Sequence, residues 1–250
     1  MAPPTVKRRL DHLLVERGLA TSLEKAKALI YAGLVLVDRT PSVKPGRALP
    51  ADVTLVVKEP EYPYVSRGGV KLARALDHFN LTVAGKIALD VGASTGGFTH
   101  CLLLRGAVRV HAVDVGYGQL AWTLRQDPRV RVLERLNARY LSLEAIGEKV
   151  DLAVIDTSFI SLKNIIPPLL AIVKAGGDLL PLIKPQFEVG KGKVGKGGVV
   201  RHPEDREEVL RSLMGHFQEM GLQVEGPLES PILGAKGNRE YFIHLKNGNH

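Results

Sequence analysis

The chain has 250 residues, 45% hydrophobic and 24% charged, which allows a sizeable core in one large domain or two and matches an ordinary globular composition. Its formal charge of +8 points to an acidic partner, of which nucleic acid is the commonest. A single cysteine, Cys101, excludes a disulfide framework and a Cys-based zinc site, so no metal centre is expected, and no apolar run is long enough for a membrane span.

Residues 1–6 read as a frayed tail. Charges follow where a signal peptide needs its apolar core, so a cytoplasmic location is expected. Leu10, Leu13 and Leu14 recur at helical spacing across Arg9 to Arg17, and Gly18 is placed to end that helix. Thr21-Ser-Leu-Glu24 has capping-box form and predicts a second helix to about Tyr31, stopped at Gly33. Strands are expected at 34–38 and 53–57, separated by a loop rich in proline and basic residues. Residues 1–60 hold ten Lys and Arg against six Asp and Glu, so half the net charge sits in about a quarter of the chain.

Lys58 to Tyr64 contains two prolines and no helical or strand period, which reads as a stiff linker. The predicted organisation is a domain over 1–58, a linker over 59–64 and a second domain over 65–250. Ser66 to Phe79 predicts a helix with Val70, Leu72, Ala73, Leu76 and Phe79 inward. From Lys86 strands and helices alternate. Strands are expected at 86–91, 108–114, 130–134, 150–156, 178–183, 222–228 and 239–245, with helices near 97–105, 117–126, 161–172 and 203–220. Such alternation means an α/β fold with a mostly parallel sheet covered on both faces.

The stretch Leu89-Asp-Val-Gly-Ala-Ser-Thr-Gly-Gly-Phe98 organises the second domain: an apolar strand breaks at Gly92 into a glycine loop that opens a helix. A strand that ends this way aims backbone N–H groups at a ligand. Ser94 stands where a dinucleotide fingerprint needs its second glycine, which argues against NAD. The next strand ends at Asp114, whose carboxylate can accept both hydroxyls of a ribose, so the pair of features fits an adenosine cofactor. Other strand ends supply Asn137-Ala-Arg, Asp156-Thr-Ser-Phe and Lys184-Pro-Gln-Phe-Glu. Gly190 to Gly197 nearly spells a phosphate-binding P-loop, but Gly197 replaces the hydroxyl residue that would hold magnesium and no helix follows. It reads as a flexible basic loop beside the site.

Two resemblances sharpen these expectations. Arg9-Leu-Asp11, Arg17-Gly-Leu and Ile30-Tyr-Ala-Gly-Leu-Val resemble the small α+β RNA-binding fold first named for a ribosomal small-subunit protein, the S-four domain. The motifs VSRGGVKL, DVGASTGGFT, DVGYGQLAW, LNAR, SFISL, KPQFEVGKGKVGKGGVV and GNREYF resemble, over nearly the whole chain, the TlyA family of ribosomal RNA 2′-O-methyltransferases, also called haemolysins, whose catalytic half is FtsJ-like. The resemblance implies a Rossmann-like S-adenosylmethionine-dependent methyltransferase domain behind the RNA-binding domain. Ribosomal RNA or ribosomal subunits are the implied partner, with no membrane or obligate protein partner. It implies catalytic roles for Lys71, Asp156, Lys184 and Glu240, with Lys184, crowded by Lys71, as the base toward a ribose 2′-hydroxyl and the two acids orienting the lysines. Cofactor contacts are implied for Gly92, Ser94, Thr95, Gly96, Gly97 and Phe98 around the methionine part, Asp114 on the ribose, and Asn137 and Ala138 near the adenine. RNA contacts are expected from Arg8, Arg9, Lys25, Lys27, Arg67, Lys191, Lys193 and Lys196. The competing readings are a non-catalytic RNA-binding protein on the same fold and, last, a pore-forming haemolysin.

Overall fold

The computed structural model describes residues 7–31, 33–42, 44–58, 62–190, 192–195 and 197–248. The chain divides into two compact units, the first ending at Val65 and the second beginning at Ser66. Of the segment expected as linker, Glu59, Pro60 and Glu61 lie outside the described residues, as does the tail over 1–6.

In the first unit, strand β1 (Lys7–Arg9) leads into helices α1 (Leu10–Glu16) and α2 (Leu23–Tyr31), followed by strands β2 (Val35–Val37), β3 (Thr40–Pro41), β4 (Ala48–Pro50) and β5 (Leu55–Val57). β3, β2 and β5 form one antiparallel sheet, and β1 pairs with β4 in another. The leucines at helical spacing do what their period requires: Leu10, Leu13 and Leu14 pack with Ala26, Ile30, Val35 and Val37 in one core. Two expectations change. The cap of α2 is Ser22, whose Oγ accepts from Lys25 N at 3.1 Å, one residue later than a Thr21–Glu24 box would place it. The loop expected between the two predicted strands contains β3, which folds straight back onto β2, and β4, held by pairing to the distant β1 that no local period announces.

The second unit is a seven-stranded sheet. Its elements in order are α3 (Gly68–His78), β6 (Ile87–Val91), α4 (Gly97–Leu104), β7 (Arg109–Asp114), α5 (Trp122–Arg125), β8 (Val130–Glu134), α6 (Leu143–Ile146), β9 (Val150–Ile155), α7 (Ile166–Leu170), β10 (Val173–Ile183), α8 (Pro203–Glu219), β11 (Gln223–Glu229) and β12 (Tyr241–Lys246). Strand order is β11-β12-β10-β9-β6-β7-β8. β12 runs antiparallel to β10 and β11, and the other neighbours pair in parallel, which is the mostly parallel sheet expected. Leu89 and Val91 of β6 join a core with Ile155, Ile183 and Leu213 and Phe217 of α8. By strand alternation Asp90 points to the opposite face, where Thr99 of α4 meets it. Cys101 is buried in α4, a packing role.

Two predicted helices shrink. Residues 117–121 are not helical because Gly118 sits at φ +71° and its N–H goes to Glu134 Oε1, so only Trp122–Arg125 remains. The helix expected over 161–172 yields a 3₁₀ turn at Leu162–Asn164 and then α7, whose Pro167 and Pro168 fit only a first helical turn. β10 begins at Val173, earlier than expected, with its register broken between Val173 and Asp178 where the glycines interrupt the apolar run.

Candidate active site

Four adjacent strands present their carboxyl ends together. β6 ends in the glycine loop, and Asp114, Asp156 and Lys184 end or follow β7, β9 and β10. The loop is stitched to its neighbours by backbone bonds: Gly92 N and Ala93 N donate to Val113 O, and Asp156 N donates to Val91 O. Gly92, at φ +89°, has no room for a side chain, since a Cβ would lie 2.7 Å from Asp156 O. Gly97 is required for a different approach, because a Cβ there would strike Ser66 Oγ and crowd Gly69 N at 3.0 Å. The glycines therefore bring α3 and the end of β9 against the loop. Ser66, Arg67, Gly68, Lys71, Asp156 and loop residues Gly92, Ser94, Thr95, Gly97 and Phe98 line one cleft.

Asp114 spends both oxygens on backbone, with Oδ2 accepting from Ser94 N at 2.8 Å and Oδ1 from Gly116 N at 2.7 Å. A carboxylate retains further lone pairs for hydroxyl donors. Arg135 N and Leu136 N donate to Gly116 O and Asp114 O, which brings Asn137 and Ala138 beside that strand end. Asn137 Oδ1 is occupied as the cap of the following 3₁₀ turn, accepting from Arg139 N. Gly96, Asp114, Asn137 and Ala138 lie outside the cleft's wall residues.

The four residues assigned to catalysis form two ion pairs. Lys71 Nζ lies 2.5 Å from Glu240 Oε2, joining α3 to the start of β12. Lys184 Nζ lies 2.5 Å from Asp156 Oδ1 and donates to Ser158 Oγ at 3.1 Å.

Sequence reasoning missed Asp90. It is fully buried, its Oδ2 accepts from Thr99 Oγ1 at 2.6 Å, and its Oδ1 has no hydrogen-bond partner. Burial pushes its pKa up to about 7 against the Thr99 bond, and the charges of Asp156 and Asp114 add to the rise. The available signal was an acid inside an otherwise apolar strand. Phe159 was also missed as a site residue. It is 89% exposed at φ +64°, and its ring stands 4.8 Å from that of Phe187. One ring comes three residues after Asp156 and the other three residues after Lys184.

The basic residues assigned to RNA fare differently. Arg8 pairs with Glu16, and Arg9 forks onto the buried Asp11, a structural arrangement. Lys25 and Lys27 are exposed on α2, and Arg67 is exposed at the cleft. Lys193 is paired with Asp205 and Glu208 of α8, while Lys191 and Lys196 lie outside the described residues. Arg17, one of the matched S-four positions, donates to Val53 O and Ala51 O and so ties α1 to the β4–β5 turn. Among the described residues no group of side chains could hold a metal ion, and no helix is long and apolar enough to cross a membrane.

Comparison with known proteins agrees with this geometry. The chain is 52% identical over 241 residues to the 16S/23S rRNA (cytidine-2′-O)-methyltransferase TlyA of Mycobacterium tuberculosis H37Rv, covering 96% of this chain and 90% of that protein. It is 38% identical to Hemolysin A of Brachyspira hyodysenteriae, covering 95% and 99% of the two chains. The solved structure of a candidate hemolysin from Streptococcus thermophilus superposes with a TM-score of 0.75 at 42% identity, covering 98% of this chain and 90% of that one. A candidate S-adenosylmethionine-dependent methyltransferase from Listeria monocytogenes shares the fold of 74% of this chain and 100% of its own, with a TM-score of 0.55 at 14% identity. The profile described as FtsJ-like methyltransferase matches residues 64–247, and with it the glycine loop, the strand-end acids and both lysine pairs: the chain belongs to the FtsJ-like methyltransferase family.

Proposed function

We propose that this chain transfers a methyl group from S-adenosylmethionine to the ribose 2′-hydroxyl of a cytidine in small- or large-subunit ribosomal RNA. The observation that carries the reading is the placement of Lys71 and Asp156 in the walls of the glycine-loop cleft, each ion-paired, to Glu240 and Lys184 respectively. The M. tuberculosis relative, with its printed cytidine-2′-O activity on 16S and 23S rRNA, supports the substrate class.

The residues present fit a cationic adenosine cofactor. Asp114 keeps lone pairs beyond its two backbone bonds at the end of the strand next to the glycine loop, and Asp156 lies in the cleft wall, so carboxylates face both the ribose and the charged part of such a ligand. Gly92, Ser94, Thr95, Gly96, Gly97 and Phe98 would hold the methionine part, Asp114 the ribose, and Asn137 with Ala138 the adenine. When bound, S-adenosylmethionine supplies a methyl group already activated on a sulfonium.

The chain's own task is to orient and deprotonate the hydroxyl. In its neutral form the Lys184 amine takes that proton, Ser158 helps to fix it, and Asp156 pairs with the ammonium that results; Lys71, held by Glu240, places a positive charge in the cleft wall. Phe159 and Phe187 offer a face on which the target base stacks. The first unit and the basic loop neutralise RNA phosphates, with Lys25, Lys27, Arg67 and Lys193 as contacts and the ion-paired Arg8 and Arg9 exchanging their acid partners for phosphate.

The test is direct. Purified protein, S-adenosylmethionine and ribosomal subunits from cells lacking the enzyme are combined, and 2′-O-methyl sites are mapped by mass spectrometry. A new methylated cytidine ribose is expected; methyl on a base, or none on any rRNA, overturns the reading.

A further inference from the structure

The segment from Lys184 to Val200 begins in one ion pair of the site and ends on Asn238, two residues before the acid of the other. It starts at Lys184, partner of Asp156. Glu188 then binds back to the turn that follows Asp156, accepting from Ser161 Oγ at 2.6 Å and Leu162 N at 2.8 Å. The glycine-rich basic loop comes next, and its base is closed by Gly195 N donating to Val199 O. At the far end the loop is gripped by one buried side chain. Asn238 Oδ1 accepts from Val200 N at 3.1 Å, and Asn238 Nδ2 donates to Gly198 O at 2.9 Å.

A carboxamide that exchanges both bonds with backbone imitates a strand neighbour, and it does so here at a side chain only 3% exposed. Asn238 stands two residues before Glu240. Its own carbonyl accepts from Gly234 N at 2.8 Å, which folds the 234–238 turn beneath the Glu240 carboxylate. Gly234 is so close to that carboxylate that any side chain there would displace it. One side chain therefore links the loop's end to the turn that packs against the acid paired with Lys71.

We infer that Asn238 is a positioning residue that locks the end of the basic loop to the turn carrying Glu240, so that RNA seated on the loop sets the placement of Lys71. The inference rests on the proposed rRNA methyl transfer for its substrate. It assigns Asn238 no contact with RNA or cofactor, only the coupling between them.

Two measurements on the full chain test it. In the first, Asn238→Ala and Asn238→Asp are compared with wild type for S-adenosylmethionine affinity, affinity for an unmethylated rRNA transcript, and single-turnover methyl transfer. Asn238→Ala should leave both affinities within about threefold and lower the single-turnover rate about 10- to 100-fold; Asn238→Asp, which still accepts from Val200 N, should fall between. A rate within twofold of wild type, or a loss matched by equal loss of cofactor affinity and melting temperature, makes Asn238 a purely structural residue and overturns the inference.

In the second, hydrogen exchange is followed with and without the transcript, which requires no methyl transfer. RNA should slow exchange in wild type at both 198–200 and 234–240, and in Asn238→Ala at 198–200 alone. Protection confined to 198–200 in wild type overturns the coupling. Coupled protection together with no methyl transfer by wild type would leave the inference standing and remove the proposed reaction.

Discussion

The two lysine–carboxylate pairs of the site share their chemistry and their 2.5 Å separation but are built in different surroundings. Lys71 and Glu240 have side chains 7% and 2% exposed and join elements 169 residues apart. Lys184 and Asp156 are 11% and 22% exposed and follow adjacent parallel strands. A buried pair is costly to break, because the survivor is a charge without water. A pair open to ligand and solvent is cheaper to disturb and can exchange partners with a substrate. On the proposed reaction, anchoring belongs to the first pair and proton handling to the second.

The largest test is on the open pair. Lys184→Met keeps the length of the side chain and removes the exchangeable proton, so folding and cofactor affinity should stay near wild type while single-turnover methyl transfer falls by roughly 10²- to 10⁴-fold. Rapid-quench kinetics reads this. A variant that transfers methyl within a few-fold of wild type, beside an inactive Asp156→Ala, would reduce Lys184 to an electrostatic role.

The next effect belongs to the buried pair. Glu240→Ala strands the Lys71 ammonium in the interior and should cost about 3–5 kcal/mol of stability, with a smaller cost for Asp156→Ala at the less buried pair. Denaturant melts compare the two. The double replacement Lys71→Met with Glu240→Leu should recover much of the loss without restoring activity. Equal costs for the two single alanine variants would erase the distinction between the pairs.

The smallest effect uses Asp90, whose carboxyl feels the open pair through Asp156. Its folded pKa of about 7 lies above the 3.8 of an ordinary aspartate, so the unfolded chain ionises first as pH rises. The resulting cost to folding is absent below about pH 4, grows between pH 4 and 7, and is complete above that. Asp90→Asn should therefore raise stability at pH 8 by on the order of 2 kcal/mol, with the gain fading as pH falls toward 4. Adding Asp156→Asn should shrink the gain, since one of the charges raising Asp90 is gone. A pH-independent difference would mean that Asp90 does not titrate in this range.

Much of the site could be read before any tertiary contact was known. The run from Leu89 to Phe98 announces a strand, a glycine loop and a helix, and each later apolar strand ends on a side chain of interest: Asp114, Asp156, Lys184. What misled were segments whose local pattern loses to distant partners. β10 starts early because Val173 pairs with Val150 of β9, although the register then breaks before Asp178 where glycines interrupt the apolar period. β1 and β4 exist only as partners of each other, across forty residues of chain. Capping at Ser22 instead of Thr21 depends on which oxygen reaches a backbone N–H, a matter of ångströms that residue type alone does not fix.

By itself the sequence determined the alternation of strands and helices, and so the parallel sheet and the edge at which its functional side chains gather, because side-chain period and backbone preference act over a few residues. Only the tertiary structure decided which acid each lysine meets, why Gly92 and Gly97 must be glycine, and that Asp90 carries an unpaired oxygen at a raised pKa. Those properties come from groups far apart in the chain brought within a few ångströms in a place water does not screen. Charge, burial and close approach are fixed there by packing, and packing has no local signature.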